Sequence, residues 1–271
     1  MGTEKIISAT ISSQLYQAID ETQKECSNDH LHTLRLNLKK IKALCILFAN
    51  NNNEHQNSKA LFLPFKRLFR HSGRLRDNFQ LEKRLIHYFT EDEKLINCLQ
   101  DKLHNRKEKL TVSYLNKAEN FEHEKAASTL DYLSFHLDVK SPLERLGNYK
   151  TFTRLRLASV EEQVLQGPNK GQLHHIRAQL KHILMLYKIL NVVSNRSNLI
   201  TQIDNLQEEL GNLHDFELLY HYVNEHIEEE SKHRNISPIL LTRIHSLNDF
   251  IEKLRINCLK KLTLLMNNSH F

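Results

Sequence analysis

The sequence predicts an all-α fold, two related four-helix bundles in a chain of 271 residues. Three observations carry that expectation. Glycine and proline number only six and four. Both break helices and punctuate turns, so their scarcity implies long helices joined by short loops. No stretch alternates apolar and polar residues for the length of a strand. Finally, residues 31–48 and 173–190 repeat one pattern, once in each half of the chain. Their separation is the size of a bundle, not of a short solenoid repeat.

The elements follow in order from their boundary signals. Apolar periodicity places helices at 4–26 and 30–49, closed by the polar run Asn50–Asn57. A third stretch runs over 58–89, with Pro64 and Gly73 as places where it could break. Thr90-Glu91-Asp92-Glu93 is a capping box whose acidic turn suits the positive end of a helix dipole, and it opens a stretch over 91–137. Ser141-Pro142-Leu143-Glu144 supplies a cap, a proline at the first helical position and a capping glutamate for 142–165. Gly167-Pro168-Asn169-Lys170-Gly171 then separates that helix from one at 172–193. Helices at 197–229 and 238–267 complete the set, divided by the polar run Glu228–Asn235 and started again by Ser237-Pro238. The expected repeats are therefore residues 1–139 and 140–271.

Composition narrows the function classes. The net charge of +6 permits an anionic partner without requiring one. Four scattered cysteines (Cys26, Cys45, Cys98, Cys258) with no C-x-x-C pair read as reduced thiols in a cytoplasm. The longest apolar run, Ala43–Ala49, is far short of the ~20 residues a membrane span needs. No basic leader with an apolar core opens the chain, so secretion is not expected. No Gly-rich phosphate loop, G-x-S-x-G or H-E-x-x-H occurs, and nucleophilic catalysis has no candidate residue.

The two repeated segments coincide at seven of eighteen positions. Helical periodicity alone would match the leucines; it would not match His32 with His174, Arg35 with Arg177, or Lys39 with Lys181. A second match follows at nearly the same separation, Gly73-Arg74-Leu75-Arg76-Asp77 against Gly211-Asn212-Leu213-His214-Asp215. On the helix starting near Asp29, His32, Arg35, Lys39 and Lys42 fall within a sector of roughly 80°. The apolar residues Leu31, Leu34, Leu38, Ile41 and Cys45 form the adjacent face. No acid stands four residues away to relieve the cations. His174, Arg177 and Lys181 rebuild the strip, with Leu184 in the fourth place. Further strips follow helical spacing: Lys66, Arg70 and Arg74; Lys102, Arg106 and Lys109; Lys150 and Arg154. Acids gather elsewhere, at 91–93, 161–162, 208–209 and 228–230. Segregated signs are what a polyanion site needs.

These residues and spacings resemble the CHAD family, the conserved histidine α-helical domain. Its signature is a helix reading His-x-x-Arg-x-x-x-(Lys/Arg)-(Lys/Arg)-x-(Lys/Arg) in each half. The first copy is His32, Arg35, Lys39, Lys40 and Lys42, complete. The second is His174, Arg177 and Lys181, with His182 and Leu184 departing from the pattern. The family's Leu-Gly-x-x-Arg-Asp element is matched by Arg76-Asp77, and by Leu210-Gly211 through His214-Asp215 with His for Arg. The resemblance covers nearly the whole chain. It implies two four-helix bundles about a pseudo-twofold axis, basic helices facing a central channel, and non-catalytic binding of inorganic polyphosphate. It implies a cytoplasmic setting, polyphosphate granules included. Asp77 and Asp215 would orient basic side chains of the motif helix. Phosphate chains suit Lys and Arg and need no stacking platform. The absence of Trp therefore favours polyphosphate over single-stranded nucleic acid, which is disfavoured but left open. No cofactor, metal or membrane partner is expected.

Two competing readings remain at this level. His214-Asp215 invites a helical HD-type metal-dependent phosphohydrolase, with His174, His175 or His182 and Asp249 as further donors. The duplication already accounts for His214 as the counterpart of Arg76. A helical scaffold for protein partners would need exposed apolar patches, on which sequence is silent.

Overall fold

The computed structural model describes residues 4–51, 58–89, 93–139, 142–190, 197–231 and 238–268. Among these residues every regular element is helical: α1 (Glu4–Lys24), α2 (Asn28–Asn51), α3 (Ser58–Leu61), α4 (Leu63–Tyr88), α5 (Glu93–Glu119), α6 (His123–Val139), α7 (Pro142–Leu165), α8 (Lys170–Ile189), α9 (Ser197–Ser231) and α10 (Pro238–Asn268). The expected loop over 52–57, the Thr90 capping box, the Ser141 cap and the Ser237 start lie outside the described residues.

Ten helices stand among the described residues where the sequence suggested eight. The stretch at 91–137 is two helices, α5 and α6, parted at Asn120–Glu122. No glycine or proline marks the break. The Asn120 amide donates to the Asn116 carbonyl at 2.8 Å, capping α5 with its own side chain. Phe121 is buried there, its ring 6.2 Å from Phe65. Pro64 does mark a break, taking the second position of α4, where its missing N–H costs no helical bond. Gly73 does not: α4 runs through it.

The chain packs as two compact units. Unit 1 is Met1–Arg76, Leu110–Val160 and Ala178–Ser197; unit 2 is Asp77–Lys109, Glu161–Arg177 and Asn198–Phe271. Each unit draws on both halves of the sequence, and the boundaries fall inside α4, α5, α7, α8 and the first turn of α9.

In unit 1, α2 packs against α1, α3 and α6. Its apolar face is the one the periodicity picked out, since Leu31, Leu34, Leu38, Ile41 and Cys45 are all fully buried. Asn37 is buried on the same helix and donates to the Gln14 carbonyl at 3.0 Å, fixing α2 on α1. The Thr22 and Tyr114 hydroxyls pair in the core, and Thr22 also reaches the Ala18 carbonyl at 2.9 Å, so both buried hydroxyls are satisfied.

Unit 2 closes over Leu81, Leu85, Leu103, Leu210, Leu219, Val223, Leu247 and Leu262. Buried side chains supply its polar ties. Asn78 donates to the Leu103 carbonyl at 3.1 Å, and the Tyr222 hydroxyl to the Leu99 carbonyl at 2.9 Å. All four cysteines are free, Cys45 and Cys258 buried; burial pushes the Cys45 thiol up to about 12. Among the described residues no helix is long and apolar enough to cross a membrane.

Candidate polyanion site

The two motif helices begin in the same way. At α2 the Ser27 hydroxyl accepts from the His30 N–H at 3.2 Å. At α8 the Asn169 side chain accepts from the Gln172 N–H at 3.0 Å while the Gln172 side chain accepts from the Asn169 N–H at 2.8 Å. The second is a reciprocal capping box with Asn and Gln in the two roles. It starts α8 at Lys170, ahead of the position 172 expected from sequence. Gly167 ends the preceding helix with φ at 71°, a conformation that glycine adopts without strain. Ser27 and Asn169 each lie five positions before the motif histidine, so His32 and His174 hold equivalent places on their helices.

In unit 1 the strip on α2 meets cations from two other helices. Arg35 lays its guanidinium across α4, donating to the Phe69 carbonyl at 2.8 Å and covering the Phe69 ring at 4.8 Å. Gly73 makes room for it: a Cβ there would collide with the guanidinium. Lys42 places its ammonium over the Phe69 and Phe62 rings, at 5.3 and 5.8 Å. Burial, and then Arg35, lower its pKa.

Lys39 is the centre of the cluster. Burial brings its pKa down to about 6, helped by the charges of Lys181 on α8, Arg35, and Arg76 on α4, and by a side-chain hydrogen bond with Lys181. An ammonium has no acceptor, so a bond between two lysines requires one to be a neutral amine. Every group acting on Lys39 is a cation. His32, exposed on the same face, is lowered by burial and by Arg76, Lys39 and Lys181, against a small opposing pull from Asp29. Arg76 is half-buried, and its Nε has no hydrogen-bond partner among the described residues. Lys40 leaves the cluster: it turns to α1 and donates to Gln14 at 3.2 Å.

In unit 2 the second copy is electrically different. Arg177 repeats the packing of Arg35. Its Nε donates to the Gln207 carbonyl at 3.3 Å, and a Cβ on Gly211 would stand 2.7 Å from its guanidinium. Around it, however, carboxylates answer the cations. The His174 and His214 rings lie 4.8 Å apart. Both are lowered first by burial, then His174 by His214 and Arg177 and His214 by Arg177, while Asp77 and Glu217 pull upward on both and Asp215 pulls upward on His214. Buried Glu217 binds Arg255 at 2.8 Å and faces Lys170 at 3.8 Å. Asp215 pairs with Arg84 of α4 at 3.1 Å, and Arg84 also covers Phe216 at 4.5 Å.

The outlying strips are not gathered into either cluster. Lys66, Arg70 and Arg74 are exposed along α4, and Lys150 and Arg154 along α7. On α5, Arg106 and Lys109 are exposed, but Lys102 pairs with Glu229 at 3.7 Å. Leu184, in the fourth place of the second strip, is buried; apolar packing occupies the position where Lys42 stands in the first copy. Sequence reasoning missed Arg84, Lys170, Glu217 and Arg255, whose pairings join distant segments. It also passed over the buried amides Asn37 and Gln179, which correspond in the two copies, because Asn and Gln do not score as identity.

Among the described residues no three His, Cys, Asp or Glu side chains stand where they could share a metal ion. The donors of an HD-type centre are therefore not assembled there. A family model described as the CHAD domain matches residues 9–224. No curated protein and no solved structure matches the chain.

Proposed function

The chain belongs to the CHAD domain family, and from that premise we propose that it binds inorganic polyphosphate, or a polyanion of similar charge spacing, without chemistry of its own. The observation that carries this reading is Lys39, an amine on which burial and three cations act and no carboxylate does. Holding like charges together in a folded protein is costly. A chain of phosphates offsets that cost by offering several anionic oxygens to forked and point-charge donors together.

The wider architecture is proposed with it: two four-helix bundles from an internal duplication, related by a pseudo-twofold axis, with the basic helices facing a central channel. Several correspondences support the duplication. The caps Ser27 and Asn169, the amides Asn37 and Gln179, and the arginines Arg35 and Arg177 are all related by one and the same sequence offset. Both arginines bind the carbonyl one helical turn before a glycine. Lys39 meets Lys181, its own counterpart, as residues near a twofold axis do. His32, Arg35, Lys39, Lys42, Arg76 and Lys181 form the core of the site, and His174, Arg177 and His214 are the counterparts of His32, Arg35 and Arg76 in the second copy. The setting proposed is cytoplasmic.

The test is equilibrium binding of long-chain polyphosphate, with orthophosphate and single-stranded RNA as competitors. Orthophosphate cannot bridge several cations and should compete poorly. RNA should compete less well than polyphosphate at equal phosphate, because Arg35 and Lys42 already cover the Phe69 and Phe62 rings, so bases would have to displace them to stack there. Absence of polyphosphate binding at low salt, or RNA binding more tightly, contradicts the reading.

A further inference from the structure

Away from the Lys39 cluster, unit 1 carries a groove of about 940 Å³ between α4, the end of α5 and the start of α6. Its volume falls within the range of about 300–1,000 Å³ that small-molecule sites occupy. Lys66, Arg67 and Arg70 of α4, Lys117 of α5 and Lys125 of α6 line it, and Glu122 is the one carboxylate among its described lining residues. Glu122 is taken by Lys125 at 2.9 Å. Lys66, Arg70 and Lys117 have no ion-pair partner among the described residues.

The lining cations act on two neighbouring groups. His71 is lowered by burial and then by Arg70, Arg74 and Lys117. Glu122 is lowered by its bond to Lys125, by the charge of Lys125 and, more weakly, by Arg67.

The groove differs from a plain phosphate track in having an apolar side. Leu68 and Phe121 lie buried beneath it, while Leu63, 62% exposed, stands beside Pro64 on its wall. Leu63, Arg67 and Arg70 follow one another at helical spacing, so aliphatic and guanidinium surfaces share one face of α4. Asn116 and Asn120 line the opposite side. Asn120 spends its amide on Asn116, at 2.8 and 3.1 Å, which leaves the Asn116 amide nitrogen as a donor toward a ligand. An inorganic phosphate chain would leave Leu63 and Pro64 without a partner. A ligand joining phosphates to a flat heterocycle uses both sides.

We propose that this groove is a binding site for a nucleoside polyphosphate, separate from the Lys39 cluster. The phosphates lie against Lys66, Arg70 and Lys117. The base lies on Leu63 and Pro64 with the Arg67 guanidinium over its face, an arrangement that arginine's planar group favours. The Asn116 amide donates to a ring nitrogen or ribose oxygen.

The experiment measures binding of adenosine triphosphate to the full chain by calorimetry, with tripolyphosphate and adenosine as separate arms, for the wild type and for two variants. The triphosphate should bind at least about tenfold more tightly than tripolyphosphate, about 1.4 kcal/mol for the nucleoside. R70Q/K117Q should weaken it by about tenfold or more and leave affinity for long-chain polyphosphate within about threefold of wild type. K39Q should do the reverse. Glutamine is shorter than lysine or arginine but keeps a polar side chain that suits a helix, and circular dichroism checks that helix content is unchanged. Equal binding of tripolyphosphate and the nucleoside triphosphate overturns the proposal, as does a parallel loss of polyphosphate binding in R70Q/K117Q, or no nucleotide binding at all. If the nucleotide binds as expected while polyphosphate does not bind, the groove stands and the polyphosphate reading falls.

Discussion

Lys39 should take up a proton when a polyanion binds. With its pKa brought to about 6 in the free protein, roughly 97% of this amine is neutral at pH 7.5. Charging it there against burial and three neighbouring cations costs about 2 kcal/mol. Bound phosphates bring negative charge to the same cluster and return the pKa toward its ordinary value. The sign follows: a group whose pKa is higher in the complex binds a proton on association, so affinity rises as pH falls. The effect spans the interval from the bound-state pKa down to about 6, with affinity changing by up to about tenfold per pH unit. Below about 6 the free protein already carries the charge, and this contribution levels off. Calorimetry at pH 7.5 in buffers of differing ionisation enthalpy should register close to one proton taken up per bound site. K39Q should lose most of it. No uptake, or uptake that survives K39Q with both motif histidines intact, refutes the reasoning.

The same amine should make the unliganded fold lose stability as pH falls from about 10 to 6. The folded chain has shed a proton that the unfolded chain still holds, so stability rises with pH across that interval by about 1.4 kcal/mol per unit. Urea denaturation across that range checks it, and K39Q should flatten the slope. Gly73→Ala would ordinarily stabilise a helix by about 1 kcal/mol. Here it evicts the Arg35 guanidinium from the Phe69 carbonyl, a charged hydrogen bond worth about 1.5–3 kcal/mol. A net loss on the order of 1 kcal/mol is expected in thermal unfolding, and a gain would contradict the packing described. Lys181→Gln should weaken polyphosphate binding about as much as K39Q, while Arg177→Gln should weaken it less, because in unit 2 carboxylates act on the histidines that Arg177 also faces. Equal losses for Arg177 and Lys181 would sink that division. Affinity should fall steeply with salt on a log–log plot, as multiple phosphate contacts release counterions; a flat response excludes an electrostatic site.

Much of this was legible in the sequence, and the exceptions have physical causes. The buried face of α2 could be named residue by residue, because a 3.6-residue period needs no knowledge of the partner. The Gly167 turn was plain for the same reason, being set by local backbone chemistry. Local pattern misplaced the start of α8, since Asn169 and Gln172 cap it with side chains less usual in a capping box. The break between α5 and α6 rests on a single asparagine and a buried phenylalanine, with no glycine or proline to announce it. At the site, the strip His32, Arg35, Lys39 and Lys42 was visible as a pattern, and the motif glycines could be matched across the halves. That Gly73 and Gly211 exist to admit an arginine was not visible, because the arginines come from other helices. The pairing of Asp215 with Arg84 was not legible either, because Arg84 comes from α4, far away in the sequence. Lys40 matched the family signature and still turned to Gln14, because adjacent positions on a helix point about 100° apart.

The central claim is that the cations crowded around Lys39 hold the polyanion, and one measurement tests it most directly. Long-chain polyphosphate binding is compared at fixed pH and salt between the wild type and K39Q/K181Q, with helix content verified for both. A loss of at least about tenfold, with a shallower salt dependence, is predicted. Unchanged affinity and an unchanged salt slope would place the binding surface elsewhere and contradict the claim.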